Sequence, residues 1–192
     1  MRQILIVVLL ALGASALQGC ATAIVGGAAT GAAVIHDRRS AGTVIDDQAI
    51  ELKISSAISN DGNLAGHGHV SATCYNYVVL LTGQAESDHY RNRYYEVASR
   101  IHNVKKVINE IQIGPSATLS ERSVDSYTTT KAKLALTQIK LADFDPSRIK
   151  VVTEKGVVYL LGLVNQQEAN AAVEKIRYLR GVKQVVKVFE YF

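Results

Sequence analysis

The 192-residue sequence repeats itself once. Asp47, Lys53 and Ile58 fall opposite Asp125, Lys131 and Leu136 at an offset of 78 residues, and Val79, Leu81 and Gly83 fall opposite Val158, Leu160 and Gly162 at 79. Val104, Lys105, Val107 and Ile111 then match Val182, Lys183, Val185 and Phe189, again at 78. An offset that changes by one residue over a whole unit marks a duplicated fold. The copies span 46–114 and 124–192. Gly114, Pro115 and Ser116 interrupt regular structure between them and open a linker over 115–123.

Each copy predicts the order αββαβ. In the first, Asp47 can cap a helix whose apolar positions Ile50, Ile54, Ala57 and Ile58 recur at i, i+4, i+7 and i+8. Two short β runs follow, Val70–Cys74 and Val78–Ala85, joined at Tyr75, Asn76 and Tyr77; the second copy has 149–153 and 157–164 joined at Glu154, Lys155 and Gly156. Asn and Gly at such turns accept the positive φ of a tight hairpin. A second helix carries Tyr90, Tyr94, Val97, Ala98 and Ile101 in one copy. In the other, Asn165 and Glu168 form a capping box before Ala169, Ala172, Val173, Ile176 and Leu179. A last alternating strand, Val104–Ile113 or Val182–Phe192, closes each unit. The expected class is α+β: two tandem domains, each a three-stranded mixed sheet packed against two helices.

The N-terminus reads as a processing signal. Arg2 precedes an unbroken apolar run from Ile4 to Leu12, too short for a bilayer-spanning helix of about 20 residues. Leu17, Gln18, Gly19 and Cys20 directly after it resemble the bacterial lipobox. That resemblance implies a signal peptide over 1–19, cleavage before Cys20 and acylation of its thiol and new amine. Each buried methylene contributes about 0.8 kcal/mol, and two chains suffice for stable anchoring. Ala21 stands where the lipoprotein inner-membrane retention signal has Asp, which implies the outer membrane. Residues 20–45, rich in Ala and Gly up to position 35, are read as the lipidated cysteine and a flexible tether. With two cysteines in all, neither a disulfide framework nor a zinc site is expected.

The αββαβ pattern resembles the BON domain in both copies. The residues that carry it are Val79, Leu80, Leu81, Thr82 and Gly83, their twins Val158, Tyr159, Leu160, Leu161 and Gly162, and Gly181–Val185 before the last strand. The first copy departs from it with Asn103 opposite Gly181 and Tyr77 opposite Gly156. Asn is the residue after Gly most tolerant of a left-handed conformation. A lipobox followed by two such copies is similar to the dual-BON outer-membrane lipoproteins. That resemblance implies phospholipid binding, support of outer-membrane integrity, an association with the division site, a periplasm-facing lipid anchor, no cofactor besides the covalent lipid, and no enzymatic activity.

The two copies differ in charge. The formal net charge of +4 falls to +3 once Arg2 leaves with the signal peptide, and this sum conceals −2 over 46–114 and +4 over 124–192. On the first helix of the second copy, Tyr127, Lys131, Leu134 and Gln138 form a stripe off the core, with Thr130, Lys133 and Lys140 beside it. Their counterparts to the stripe in the first copy, Ala49, Lys53, Ser56 and Asn60, are small or polar. One reading lays this face in the headgroup region of an anionic leaflet, phosphatidylglycerol or cardiolipin, where Tyr suits the depth and each lysine adds about 1 kcal/mol. The other packs Tyr127 and Leu134 against the first domain, because a small domain has little core of its own. The family resemblance favours lipid. The functional alternative is an interaction scaffold on which the Tyr127 face docks an envelope-assembly or peptidoglycan-remodelling protein.

Other patterns carry less. His67 and His69 lack a third ligand and read as solvated loop residues. Cys74 alternates with Val70 and Ala72 as a partly buried, inert thiol. Tyr90, Tyr94 and Tyr95 with Arg91 and Arg93 imitate a nucleic-acid patch, which export argues against. Asp143 and Asp145 precede Pro146 as turn residues. No catalytic residue and no metal ligand is assigned.

Overall fold

The computed structural model describes residues 37–192. The signal peptide, the Cys20 lipid site and the tether up to His36 lie outside the described residues. The first copy comprises α1 (Ala41–Asn60), β1 (Gly68–Tyr75), β2 (Val78–Ala85), α2 (Asp88–Ser99), β3 (Lys106–Asn109) and the short β4 (Gln112–Ile113). The second comprises α3 (Leu119–Leu136), a 3-10 turn (Pro146–Arg148), β5 (Ile149–Glu154), β6 (Val157–Val164), α4 (Gln166–Ile176) and β7 (Gln184–Tyr191). In each copy the middle strand is antiparallel to the strand before it and parallel to the strand after the second helix. A parallel partner needs a crossover, and α2 and α4 supply it. The α+β class and both αββαβ units match the sequence expectation.

Alternation along the strands gives each sheet two buried faces. Val79, Leu81 and Ala85 join Ile50, Ile54, Tyr94 and Ala98 beneath the helices of the first copy; Val158, Leu160 and Val164 join Ala132, Leu136, Ala169 and Ile176 in the second. The opposite faces meet each other, with Tyr75 and Leu80 packed in one cluster with Tyr159, Leu161 and Val188. The order of layers is therefore helix, sheet, sheet, helix. This explains why β2 and β6 are buried almost throughout and carry the apolar runs 78–81 and 157–161, as strands buried on both faces do. Polar contacts frame the seam: Gln84 donates to Glu154 at 2.7 Å and accepts from the Ala117 amide at 2.7 Å, Asn76 donates to Glu190 at 3.1 Å, and Lys150 pairs with Glu51 at 2.6 Å.

Both first helices start earlier than their apolar pattern suggests. Ser40 caps α1 by accepting from the Thr43 amide, so residues 41–45, read as tether, are helical. Thr118 and Glu121 form a capping box on α3, so 119–123, read as linker, are helical too. Asp47 is thus no cap. It lies buried in mid-helix and accepts hydrogen bonds from the Asn76 and Tyr77 amides at 2.7 and 2.8 Å. Asp125 does the same for Lys155 and Gly156, at 2.7 and 2.9 Å. The repeated aspartate ties each first helix to its hairpin turn, whose amides point away from the ladder. Both central turn residues have positive φ, and in the first copy one of them is Tyr77 at 67° where the second has Gly156 at 83°. Asn103 and Gly181 are both left-handed, at 71° and 99°. The expected strand 104–113 is broken: the Asn109 side chain accepts from the Ile111 amide, which buckles the chain between β3 and β4.

Candidate functional site

Helix α3 has no Gly or Pro between its capping box and Leu136, with Glu121 in its first turn and Lys133 in its last, matching the helix dipole at both ends. Its buried side is Asp125, Thr128, Ala132, Ala135 and Leu136. The opposite side carries Tyr127, 65% exposed, and Leu134, 59% exposed, with Val124 one turn earlier. These side chains do not pack on the first copy, which meets the second through the far face of the sheet.

The other residues of the predicted face are placed less uniformly. Thr130 and Lys133 are exposed on the helix, and the Thr130 hydroxyl donates back to the Ser126 carbonyl at 3.0 Å. Lys131 is half-buried: its ammonium donates to the Arg180 carbonyl and sits 4.7 Å from the Tyr127 ring centroid, orienting that ring by a cation–π contact. Gln138 and Lys140 lie beyond the end of α3 in the following turn, so the stripe drawn to Gln138 stops one turn early. Among the described residues no acid lies within ion-pair distance of Lys131, Lys133 or Lys140.

The Lys131 contact draws the turn after α4 against α3. Tyr178 in that turn is 75% exposed, with the Arg177 guanidinium 5.1 Å from its ring centroid. Tyr178 was missed because its neighbourhood depends on where the α4–β7 turn folds. Its absence from the stripe Ala169, Ala172, Val173, Ile176, Leu179 was the available signal.

At the start of the folded unit, two arginines hold the copies together. Arg38 makes a two-pronged contact with Glu168 at 2.7 and 2.8 Å, donates to the Leu163 carbonyl and covers the Phe192 ring at 4.4 Å. Arg38, together with the Asn165 amide, holds the Glu168 carboxyl below its ordinary range. Arg39 pairs with Asp37 and Asp47 at 2.7 Å each and lies 3.7 Å from the Tyr75 ring centroid. One arginine therefore grips each copy.

The lesser patterns resolve into structure. Cys74 is fully buried and donates to Asp47 at 3.1 Å; burial and that carboxylate push its thiol far up, away from thiolate chemistry. His67, read as solvated, stacks on Tyr90 at 4.0 Å and contacts Glu86 at 2.6 Å. Arg91 and Arg93 pair with Asp88 and Asp61. Asp145 caps the 3-10 turn.

The BON domain model matches residues 46–115 and again 128–191. The chain belongs to the BON-domain family. Each match falls on one αββαβ unit, starting inside its first helix. Among curated relatives, the outer membrane lipoprotein DolP of Haemophilus influenzae is 38% identical over 91% of this chain and 90% of its own length. The 21 kDa hemolysin of Actinobacillus pleuropneumoniae is 35% identical over 81% and 79%, and the osmotically-inducible protein Y of Escherichia coli is 31% identical over 75% and 72%. Among the described residues no helix of this BON protein is long and apolar enough to cross a membrane.

Proposed function

We propose that the protein is a non-catalytic outer-membrane lipoprotein, anchored by acylated Cys20, whose second BON domain binds anionic phospholipid and supports outer-membrane integrity. The observation that carries this reading is the α3 face: Tyr127 and Leu134 stand exposed beside lysines without acid partners, on the copy that carries the excess positive charge. An exposed aromatic with a polar tip, an aliphatic and a basic rim match the chemistry of an anionic headgroup layer. The likeness to a relative named an outer membrane lipoprotein supports the location and the anchor. With the chain already held at the surface, a weak face becomes effective through local concentration.

Sedimentation with vesicles tests the reading. Binding to phosphatidylglycerol or cardiolipin vesicles is expected to exceed binding to phosphatidylcholine, to weaken as salt screens the lysines, and to drop about tenfold or more in Tyr127→Glu. Unchanged binding in that variant would overturn the assignment of the face. Retention of Cys20→Ala in the membrane fraction would overturn the anchor.

A further inference from the structure

Strand β1 is an edge strand whose two halves are treated differently. It pairs only with β2, and the bond from the Glu86 amide to the His67 carbonyl shows that odd-numbered residues face the ladder. The even-numbered groups therefore face outward, and the Cys74 amide does so by donating to Glu51 at 2.6 Å. At Cys74 the edge is closed, because Lys150 also donates to its carbonyl at 3.3 Å. At Val70 and Ala72 the outward amides and carbonyls have no hydrogen-bond partner among the described residues. Natural sheets block such edges with charge, bulges or a covering element, and this one is blocked for half its length only.

The open half lines a groove of about 800 Å³ between α1 and β1. Its walls include Leu52, 72% exposed, and Gln48 and Ser55 from α1; Val70, Ala72 and Leu64 supply apolar contact. The counterpart in the second copy, between α3 and β5, is smaller, about 320 Å³, and polar residues such as Arg122, Asp125, Thr129 and Thr153 line it. There the strand corresponding to β1 is two residues shorter, Ile149 and Val151 are buried with Ile139 and Phe144 packed against the same core, and Thr129 bonds Thr153 at 2.8 Å.

We propose that this groove takes an extended, non-acidic segment of another protein as an additional strand on β1. Two free amide and carbonyl sets two residues apart are the complement of a strand and of no compact ligand. The groove bears no Lys or Arg, its one carboxylate, Glu51, is already paired with Lys150, and the domain has a net charge of −2, which favours a neutral or basic segment with small apolar side chains at alternate positions. The site lies on the other BON domain from the α3 face, so it stands or falls independently of lipid binding.

The test is selection from a phage-displayed library of random dodecapeptides on the purified full-length protein, with Ala72→Pro as the counter-selection target. Proline at this outward position removes a docking donor without taking a bond from the ladder. Enriched sequences are expected to alternate small apolar residues with Lys or Arg, to protect the Val70 and Ala72 amides from exchange, and to bind Ala72→Pro about tenfold or more weakly. Tyr127→Glu should bind them as the wild type does. If Ala72→Pro loses its native amide spectrum, Leu52→Lys on the exposed helix wall replaces it, with the same expected loss. A library that enriches nothing, or peptides that bind the variants as well as the wild type, overturns the proposal. So does a wild-type dimer in sedimentation that Ala72→Pro abolishes, because that assigns the edge to a second copy of the chain.

Discussion

The two BON copies share what faces the inside and differ in what faces out. Each buries one aspartate in its first helix and aims it at two turn amides, and each packs its sheet against the other's. Outside, the first copy leaves a wide edge groove walled by exposed Leu52 and has small or polar residues at the positions of the α3 stripe, whereas the second has a narrower groove and presents Tyr127, Leu134 and lysines. Duplication thus preserved the residues that define the sheet and its turns and released the two outer surfaces for different partners. Neither copy is independent, because the cluster of Tyr75, Leu80, Tyr159, Leu161 and Val188 exists only when both sheets are in place.

The largest expected effects come from the shared aspartates, and they should be unequal. Asp47→Ala removes the acceptor of two turn amides and the Cys74 thiol and leaves the Arg39 guanidinium with Asp37 alone, so a loss of about 3 kcal/mol is expected. Asp125→Ala removes the acceptor of two turn amides but strands no buried cation, and about 2 kcal/mol is expected. Denaturant unfolding of both variants checks the order. Equal losses would mean that Arg39 adds nothing to the first latch.

Arg38→Ala probes the link between the copies, with an expected loss of about 2 kcal/mol as buried Glu168 keeps only the Asn165 amide and Arg148, 3.6 Å away. The pH dependence follows from the lowered Glu168 pKa. A depressed carboxyl stabilises the fold above its unfolded value and loses that contribution as pH falls through the folded one. The stability gap between wild type and Arg38→Ala should therefore be full at neutral pH and narrow on acidification below the ordinary glutamate value of 4.5. A gap that stays constant on acidification contradicts the Arg38–Glu168 contact as its source.

Most of the fold was legible because apolar periodicity reports which side of an element is buried, and duplication reports it twice. The latch was misread because aspartate suits both a helix cap and a turn acceptor; only the true caps, Ser40 and Thr118, reveal which it is, and both lie among small polar residues that carry no periodicity. Helices covering one face of each sheet were the expectation; burial of the second face was not legible, because no local pattern says that one sheet covers the other. On the candidate face, Tyr127 and Leu134 followed from helical spacing. So did Lys131, but its tie to the Arg180 carbonyl, and Tyr178 in the same turn, did not, since both arise where a distant turn meets α3.

The hairpin turns give a smaller test. A Cβ at Gly156 would meet the Lys183 side chain at 3.1 Å and the Gly181 carbonyl at 3.2 Å with φ at 83°, so Gly156→Ala should cost about 1–2 kcal/mol. Tyr77→Gly relieves a left-handed non-glycine residue but loses the bond from its hydroxyl to Asp46 and the Lys105 contact. These oppose each other, and a net change under about 1 kcal/mol is expected by thermal unfolding.

The smallest stability effect should accompany the sharpest functional contrast. Exposed substitutions away from buried networks typically change stability by less than about 0.5 kcal/mol, so Leu134→Ala should unfold like the wild type while weakening vesicle binding. The converse graft places Tyr at Ala49 and Leu at Ser56, the counterparts of Tyr127 and Leu134 in the first BON domain. If side-chain type alone made a lipid face, Ala49→Tyr with Ser56→Leu in a Tyr127→Glu background would restore vesicle binding. With a domain charge of −2 around the graft, no restoration is expected at physiological salt. Adding lysines at Asn60 and Ser59 should then recover part of the binding, because the basic rim supplies what the aromatic and aliphatic pair cannot. Recovery by the graft without those lysines would show that apolar insertion, and not the charge difference between the copies, selects the second domain.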